Sequence, residues 1–183
     1  MMRRITEPSL NANAGDANDF NRKVIEEFRA HDGQVGGALA DTPMMLVHHI
    51  GARSGAERVT PLAYTALDDG RLVIAASNGG APAHPTWYHN LKANPRIEVE
   101  IGSEKFMMLA HALEGAARSA LWPQVVAAAP TVGQHQAKTT RQIALFVLTR
   151  ERRTPQRGPA AAPRMSSVAD FPELAGPKPG KEQ

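Results

Sequence analysis

An α+β fold, with six mostly antiparallel strands forming a small closed or split barrel and three flanking helices, is what this sequence predicts. Short apolar or alternating runs recur between turn signals, and most of the links joining them are of hairpin length. Only three segments carry helical character, whereas a parallel sheet would place a helix between nearly every pair of strands. The chain has 183 residues, enough to fill one core without metal or disulfide staples. No internal repeat divides it.

Residues 1–18 read as a polar lead-in rich in Asn, Ala, Ser and Gly. Asn18 or Asp19 caps the first helix, whose stripe Phe20, Val24, Phe28 runs at four-residue spacing until Gly33 stops it. Met44-Met45-Leu46-Val47-His48-His49-Ile50 is the first strand, and Gly51-Ala52-Arg53-Ser54-Gly55 turns the chain into a second from Arg58 to Thr65. Asp68-Asp69-Gly70 is a hairpin signal that returns a third strand from Arg71 to Ala76.

The segment Ser77-Asn78-Gly79-Gly80 then forms a loop ahead of a short aromatic helix, which starts near Pro85 and is broken at Asn94-Pro95. Ile97, Val99 and Ile101 alternate with Glu98 and Glu100 as in a half-exposed strand. Gly102-Ser103 turns it into the next strand, from about Lys105 to Leu113. A helix bearing Leu121, Trp122, Val125 and Val126, kinked or delayed by Pro123, precedes a buried strand from Ile143 to Leu148. The barrel domain thus spans residues 19–150. Residues 151–183 form a proline-rich tail, in which Phe171 and Leu174 offer local anchors.

Composition excludes several classes of function. The absence of cysteine removes disulfides, thiolate metal sites and a thiol nucleophile, and suits a reducing compartment. A formal charge of +3 is too mild for a general nucleic-acid binder. No apolar stretch spans a bilayer, and Met1-Met2-Arg3-Arg4 leads into polar residues instead of a signal-peptide core, so a cytoplasmic location is expected. No metal site is read. His48 and His49 are strand neighbours that point to opposite faces, and His84 and His89 lack a carboxylate partner at helical spacing.

Chemistry concentrates in two places. The Gly79-Gly80 loop brings bare backbone N–H groups to a ligand, the helix N-terminus beyond it favours negative charge, and Trp87 and Tyr88 offer flat faces. Arg53, Ser54, Arg58 and Thr60 form the second cluster, a clamp for phosphate or carboxylate oxygens. Taken singly, each feature also suits a packed helix, a plain turn or solvated charge; their combination favours a flat, anionic ligand.

The order and spacing of Arg53-Ser54-Gly55, Arg58-Val59-Thr60-Pro61-Leu62, Ala75-Ala76-Ser77-Asn78-Gly79-Gly80 and His84-Pro85-Thr86-Trp87-Tyr88-His89-Asn90 resemble the deazaflavin-dependent oxidoreductases of the nitroreductase-like type. The resemblance covers residues 19–149. It implies a split barrel related to FMN-binding barrels, with coenzyme F420 lying in a groove beside the sheet. Ala52, Arg53, Ser54 and the run Arg58, Val59, Thr60, Pro61, Leu62 would line its phosphate and ring. Ala75, Ala76, Ser77, Asn78 and Gly79 would line the rest, together with Trp87, Tyr88, His89 and Asn90.

The implied activity is hydride transfer from reduced F420 to a small electron-poor acceptor such as a quinone, an enone or a nitroaromatic. Ser77 would place a hydroxyl near the reactive ring edge, and Tyr88 or His135 would supply or relay a proton. FMN on the same barrel, or a non-catalytic deazaflavin carrier, are the alternatives. Related barrels pair through the sheet, which makes a homodimer a further expectation. This chain departs from the family pattern at Ala52 and Asn78, where relatives carry basic residues, with Lys138 and Arg141 as candidate replacements. It departs again at residues 130–136, which lack the tyrosines of nitroimidazole-activating members.

Overall fold

The computed structural model describes residues 14–151. The N-terminal lead-in up to residue 13 and the tail from residue 152, with Phe171 and Leu174, lie outside the described residues. Helix α1 (Ala14–Ala30) starts ahead of the expected cap at Asn18 or Asp19. Its stripe is inward only in its second half: Val24 and Phe28 are buried, while Phe20 is 48% exposed. The helix stops where Asp32 and Gly33 take positive φ, and the Gly33 N–H donates to the Phe28 carbonyl at 2.7 Å. A Cβ on Gly33 would lie 2.6 Å from the Gly102 Cα, so the residue must be glycine for that close approach as well as for its φ.

The strands are β1 (Met44–Ile50), β2 (Glu57–Ala63), β3 (Thr65–Ala66), β4 (Leu72–Ala75), β5 (Arg96–Ile101), β6 (Glu104–Leu113) and β7 (Leu145–Arg150). Among the described residues seven strands replace the expected six because the run from Arg58 to Thr65 is divided at Tyr64. A two-residue strand is too short to show a period in sequence. Among the described residues the helices are α1, α2 (Thr86–Ala93), α3 (Gly115–Ala128) and α4 (Pro130–Ala137), four where three were expected. Pro123 does not delay α3, which begins at Gly115 and carries the proline inside. The segment 130–137 reads as a loop in isolation, yet Pro130 opens a helical turn. Gly133 lets this helix approach α3, since a Cβ there would sit 3.0 Å from Val126 Cγ1.

Every strand pairing is antiparallel, and the order across the sheet is β2-β1-β5-β6-β7-β4-β3. That order decides the shape. In a flat sheet β2 and β3 would stand about 29 Å apart, at roughly 4.8 Å per strand. Yet Ala63 pairs with Met44 at one margin while Thr65 pairs with Val73 at the other. Two residues span at most about 7 Å. The sheet therefore curls until its margins meet at Tyr64, as a half-open barrel. β3 pairs only with Leu72 and Val73, so the far end of β4 and the start of β2 are left as the two lips of a seam.

Packing follows the curl. Met45, Val47, Ile74, Ala76, Ile97, Val99, Phe146 and Leu148 face inward, with Trp87 and Leu91 of α2 filling the same core. On the outer surface, Val24 and Phe28 of α1 cover Met44 and Leu46. Val125 of α3 covers Val73, Leu145 and Val147, with Val132 of α4 alongside. Buried Arg118 ties this second cover down, donating to the Ile143 carbonyl at 3.1 Å and to Gln136 Oε1 at 3.2 Å.

The outward residues of β5 differ from a simple half-exposed strand. Glu100 is buried beneath α1, where Arg29 Nη2 donates to it at 2.5 Å and His48 Nε2 at 2.6 Å. The Arg29 guanidinium, helped by the His48 ring, holds the Glu100 carboxyl at about 2 against its own desolvation. Because that value lies below the ordinary 4.5, the contribution to stability is full above about pH 4.5 and is lost as the pH falls toward 2. Urea unfolding of Glu100→Gln should show a loss of about 2 kcal/mol at neutral pH, with the difference from wild type closing as the pH approaches 2.

Candidate active site at the seam

Strand parity sorts the first predicted cluster. In the β1–β2 register Met45 faces Leu62, Val47 faces Thr60 and His49 faces Arg58. Because Met45 and Val47 point into the barrel, Arg58, Thr60 and Leu62 share that inner face. Val59 packs instead with the α1 cluster, and Pro61 is paired with Leu46 on the same outer side. β2 is a margin strand, which is why a proline is tolerated in it.

The turn before β2 is built by Gly51, whose N–H donates to the Ala56 carbonyl at 2.8 Å and whose carbonyl accepts from Gly55 at 2.8 Å. Ser54 Oγ accepts from the Ala56 N–H at 3.3 Å. A Cβ on Gly51 would collide with that oxygen and come within 3.5 Å of Arg58 Nε, so Ser54 and Arg58 fold together over the glycine. Arg53, Ser54 and Arg58 are exposed. Among the described residues neither Arg53 nor Arg58 has a carboxylate partner, so both guanidiniums are available to an anion.

Behind this turn lies a buried polar chain. The Ala52 N–H donates to Asn90 Oδ1 at 2.8 Å, Asn90 Nδ2 meets His49 Nδ1 at 3.0 Å, and His49 Nε2 meets Thr60 Oγ1 at 3.0 Å. Burial above all, then the charges of Arg58 and His48, lower the His49 pKa to about 4. The ring is neutral at physiological pH. His49 is absent from the sequence-predicted site. Its parity with Met45 and Val47 is a usable signal, but its partner on α2 is not one the sequence offers.

The other lip is the end of β4 and the loop after it. Ala75 packs outward, whereas Ala76 is buried inward and donates to the Ala144 carbonyl at 2.9 Å. Asn78, Gly79 and Gly80 all adopt positive φ, and Asn78 Nδ2 donates to the Ala83 carbonyl at 3.0 Å. A Cβ on Gly80 would press on the His135 carbonyl at 2.7 Å and on Lys138 Cβ at 2.8 Å. Helix α4 thereby backs the loop and brings His135 to it. Arg141 secures the loop from below, donating through Nη2 to the Ser77 carbonyl at 2.7 Å and through Nε to the Ala81 carbonyl at 2.8 Å. Its positive charge is thus spent partly on structure, although burial lowers its pKa and no carboxylate among the described residues neutralises it.

Helix α2 spans both lips. Trp87 is buried against Phe146 at a centroid distance of 5.8 Å, a core position. Tyr88 is half-buried, stacks on His84 at 4.0 Å and meets the edge of Phe146 at 5.6 Å. His89 is exposed, with its ring edge-on to Tyr88 at 5.1 Å. Asn90, one turn further, reaches the opposite lip. The Ser77 hydroxyl bonds to no described residue.

A half-open antiparallel barrel, with guanidiniums free of carboxylate partners at one end of its seam, a left-handed glycine turn opposite and aromatic rings between them, has the shape and charge to take a flat, anionic ligand. Comparison with known proteins identifies the family. Residues 20–150 match the family described as F420H(2)-dependent quinone reductase. Over 128 residues the chain is 37% identical to an F420H(2)-dependent quinone reductase of Mycobacterium tuberculosis, covering 67% of this chain and 85% of that protein. Among solved structures, the F420-H2 dependent reductase FDR-A superposes with a TM-score of 0.53 at 37% identity, over 62% of this chain and 100% of that one. A structure described as a domain-swapped dimer does so with a TM-score of 0.54 at 34% identity, over 75% of this chain and 100% of that one. The chain belongs to the F420H(2)-dependent quinone reductases and is an F420-dependent oxidoreductase.

The position of Trp87 carries a test. Trp87→Ala removes a core ring and should cost about 3–5 kcal/mol of stability, measured by denaturant midpoint. Tyr88→Phe keeps both ring contacts and should unfold within about 0.5 kcal/mol of wild type.

Proposed function

We propose that this protein reduces a quinone with hydride from F420H2, the cofactor lying along the seam. The observation that supports this reading is that two motifs distant in sequence, Arg53–Leu62 and Ala75–Asn90, are tied together by the Ala52–Asn90 bond, beside guanidiniums that have no carboxylate partner among the described residues. The residues fit an anionic, flat cofactor. Arg53 and Arg58 would hold phosphate oxygens by charge-assisted bonds, and Leu62, Ala76 and Tyr88 would flank the ring. When bound, reduced F420 supplies a hydride, and the quinone that accepts it takes up one proton.

The chain's own part is to hold the two rings together, exclude water and supply that proton. Tyr88 is the proposed donor, since its phenol lies beside Arg141 and over His84, whose pKa burial and the Arg141 charge lower. Ser77 offers an uncommitted hydroxyl, and His135 a second proton site on α4. Enones and nitroaromatics present the same electron-poor acceptor and belong to the proposed range. The reading takes residues 19–150 as the functional domain, working as a cytoplasmic homodimer. No described helix is long and apolar enough to cross a membrane.

Titration of the purified protein with F420 and with FMN tests the cofactor, and turnover of F420H2 with a benzoquinone tests the reaction. Binding of F420 in preference to FMN, with quinone-dependent loss of F420H2, is the expected result. FMN binding alone would overturn the cofactor assignment, and binding without turnover would leave a carrier. Arg58→Ala should weaken F420 binding about tenfold and flatten its salt dependence.

A further inference from the structure

The buried hydrogen bonds at the seam run in one direction. A backbone N–H can only donate, so the Asn90 atom that Ala52 meets at 2.8 Å is the oxygen. The Asn90 amino group is then what faces His49 Nδ1 at 3.0 Å, and a donor there requires Nδ1 to be unprotonated. The single ring proton is thereby placed on Nε2, which donates to Thr60 Oγ1 at 3.0 Å. Thr60 accepts that bond, and its own O–H is committed to no described residue. Thr60 is half-buried on the inner face of the margin strand, between Arg58 and Leu62.

We propose that His49 is a positioning residue that acts through Thr60, fixing its hydroxyl as a hydrogen-bond donor to a conjugated carbonyl oxygen bound in the seam. Two ligands carry that group, the deazaflavin ring and the quinone, and the assignment rests on the F420 reading of the site. The same chain of bonds explains the burial of His49 and Asn90, which are 4% and 3% exposed. Each is satisfied only in this one orientation, so the tautomer, the amide and the Ala52 turn are set together. Neutrality of the ring, favoured by burial and by the nearby Arg58 and His48 charges, keeps Nδ1 an acceptor.

Three measurements test this on the full chain. Long-range 15N–1H NMR of the imidazoles, in protein without cofactor, should show His49 as the neutral Nε2–H tautomer; an Nδ1–H tautomer overturns the assignment. F420 affinity and the benzoquinone KM are then compared for wild type, Thr60→Val and Thr60→Ser. Thr60→Val should lose about tenfold in one of the two, in F420 affinity if the hydroxyl meets the cofactor and in quinone KM if it meets the acceptor. Thr60→Ser should restore it.

Changes under twofold in both for Thr60→Val overturn the proposal. His49→Gln combined with Thr60→Val should be no worse in that parameter than Thr60→Val alone, whereas additive losses would show that His49 does not act through Thr60. A wild type that binds no F420 overturns the cofactor reading instead, and the tautomer measurement still decides the direction of the chain.

Discussion

The two-residue passage from Ala63 to Thr65 is the constraint on which the rest of this structure depends. It joins the opposite margins of a seven-stranded sheet, a span no short link could cover unless the sheet curls on itself. Closure at Tyr64 and opening away from it follow from the same geometry. β2 and β4 leave that point as separate lips, because β3 is too short to keep them paired. The seam is thus a product of connectivity, with no helix or insertion needed to create it.

Once the sheet is curled, its interior must be filled, and α2 contributes to that filling. One face of this short helix supplies Trp87 and Leu91 to the core, while Asn90 enters the polar chain to His49 and Ala52. Burying a histidine and an amide is costly unless every polar atom finds a partner. Here each finds one, and the partners come from β1, β2, the turn between them and α2. The helix that closes the core therefore also sets the lip of the site, so a change in its seat would be felt at both.

Much of this architecture is legible in the chain's local patterns. Strand runs such as 44–50 and 97–101 and the Gly51–Gly55 turn are of that kind and point to a small antiparallel barrel, and the order of the motifs carries the family resemblance that implies a split barrel and F420. The departures have separate physical causes. β3 has too few residues for a period, and α4 forms because Gly133 permits contact with Val126 and Arg118 pins Gln136. Phe20 continues the stripe of α1 yet lies beyond the sheet that buries Val24 and Phe28. Within the site, a contiguous run such as 58–62 is uniform in sequence, and only strand pairing splits it between two faces. Trp87 likewise reads as a ligand-facing ring in its motif, and packing against Phe146 makes it a core residue.

The sequence alone determined most of the elements and the glycine turns, because periodicity and turn chemistry act over a few residues, and the order of its motifs carried the family resemblance that implied F420. Which margins of the sheet meet, which residues face the seam and how His49 holds its proton were decided only in three dimensions. The bonds responsible join residues 41 apart in the case of Asn90 and His49, and 64 apart for Arg141 and Ser77. Desolvation and hydrogen-bond direction at such separations are properties of the packed chain, and no local stretch of sequence carries them.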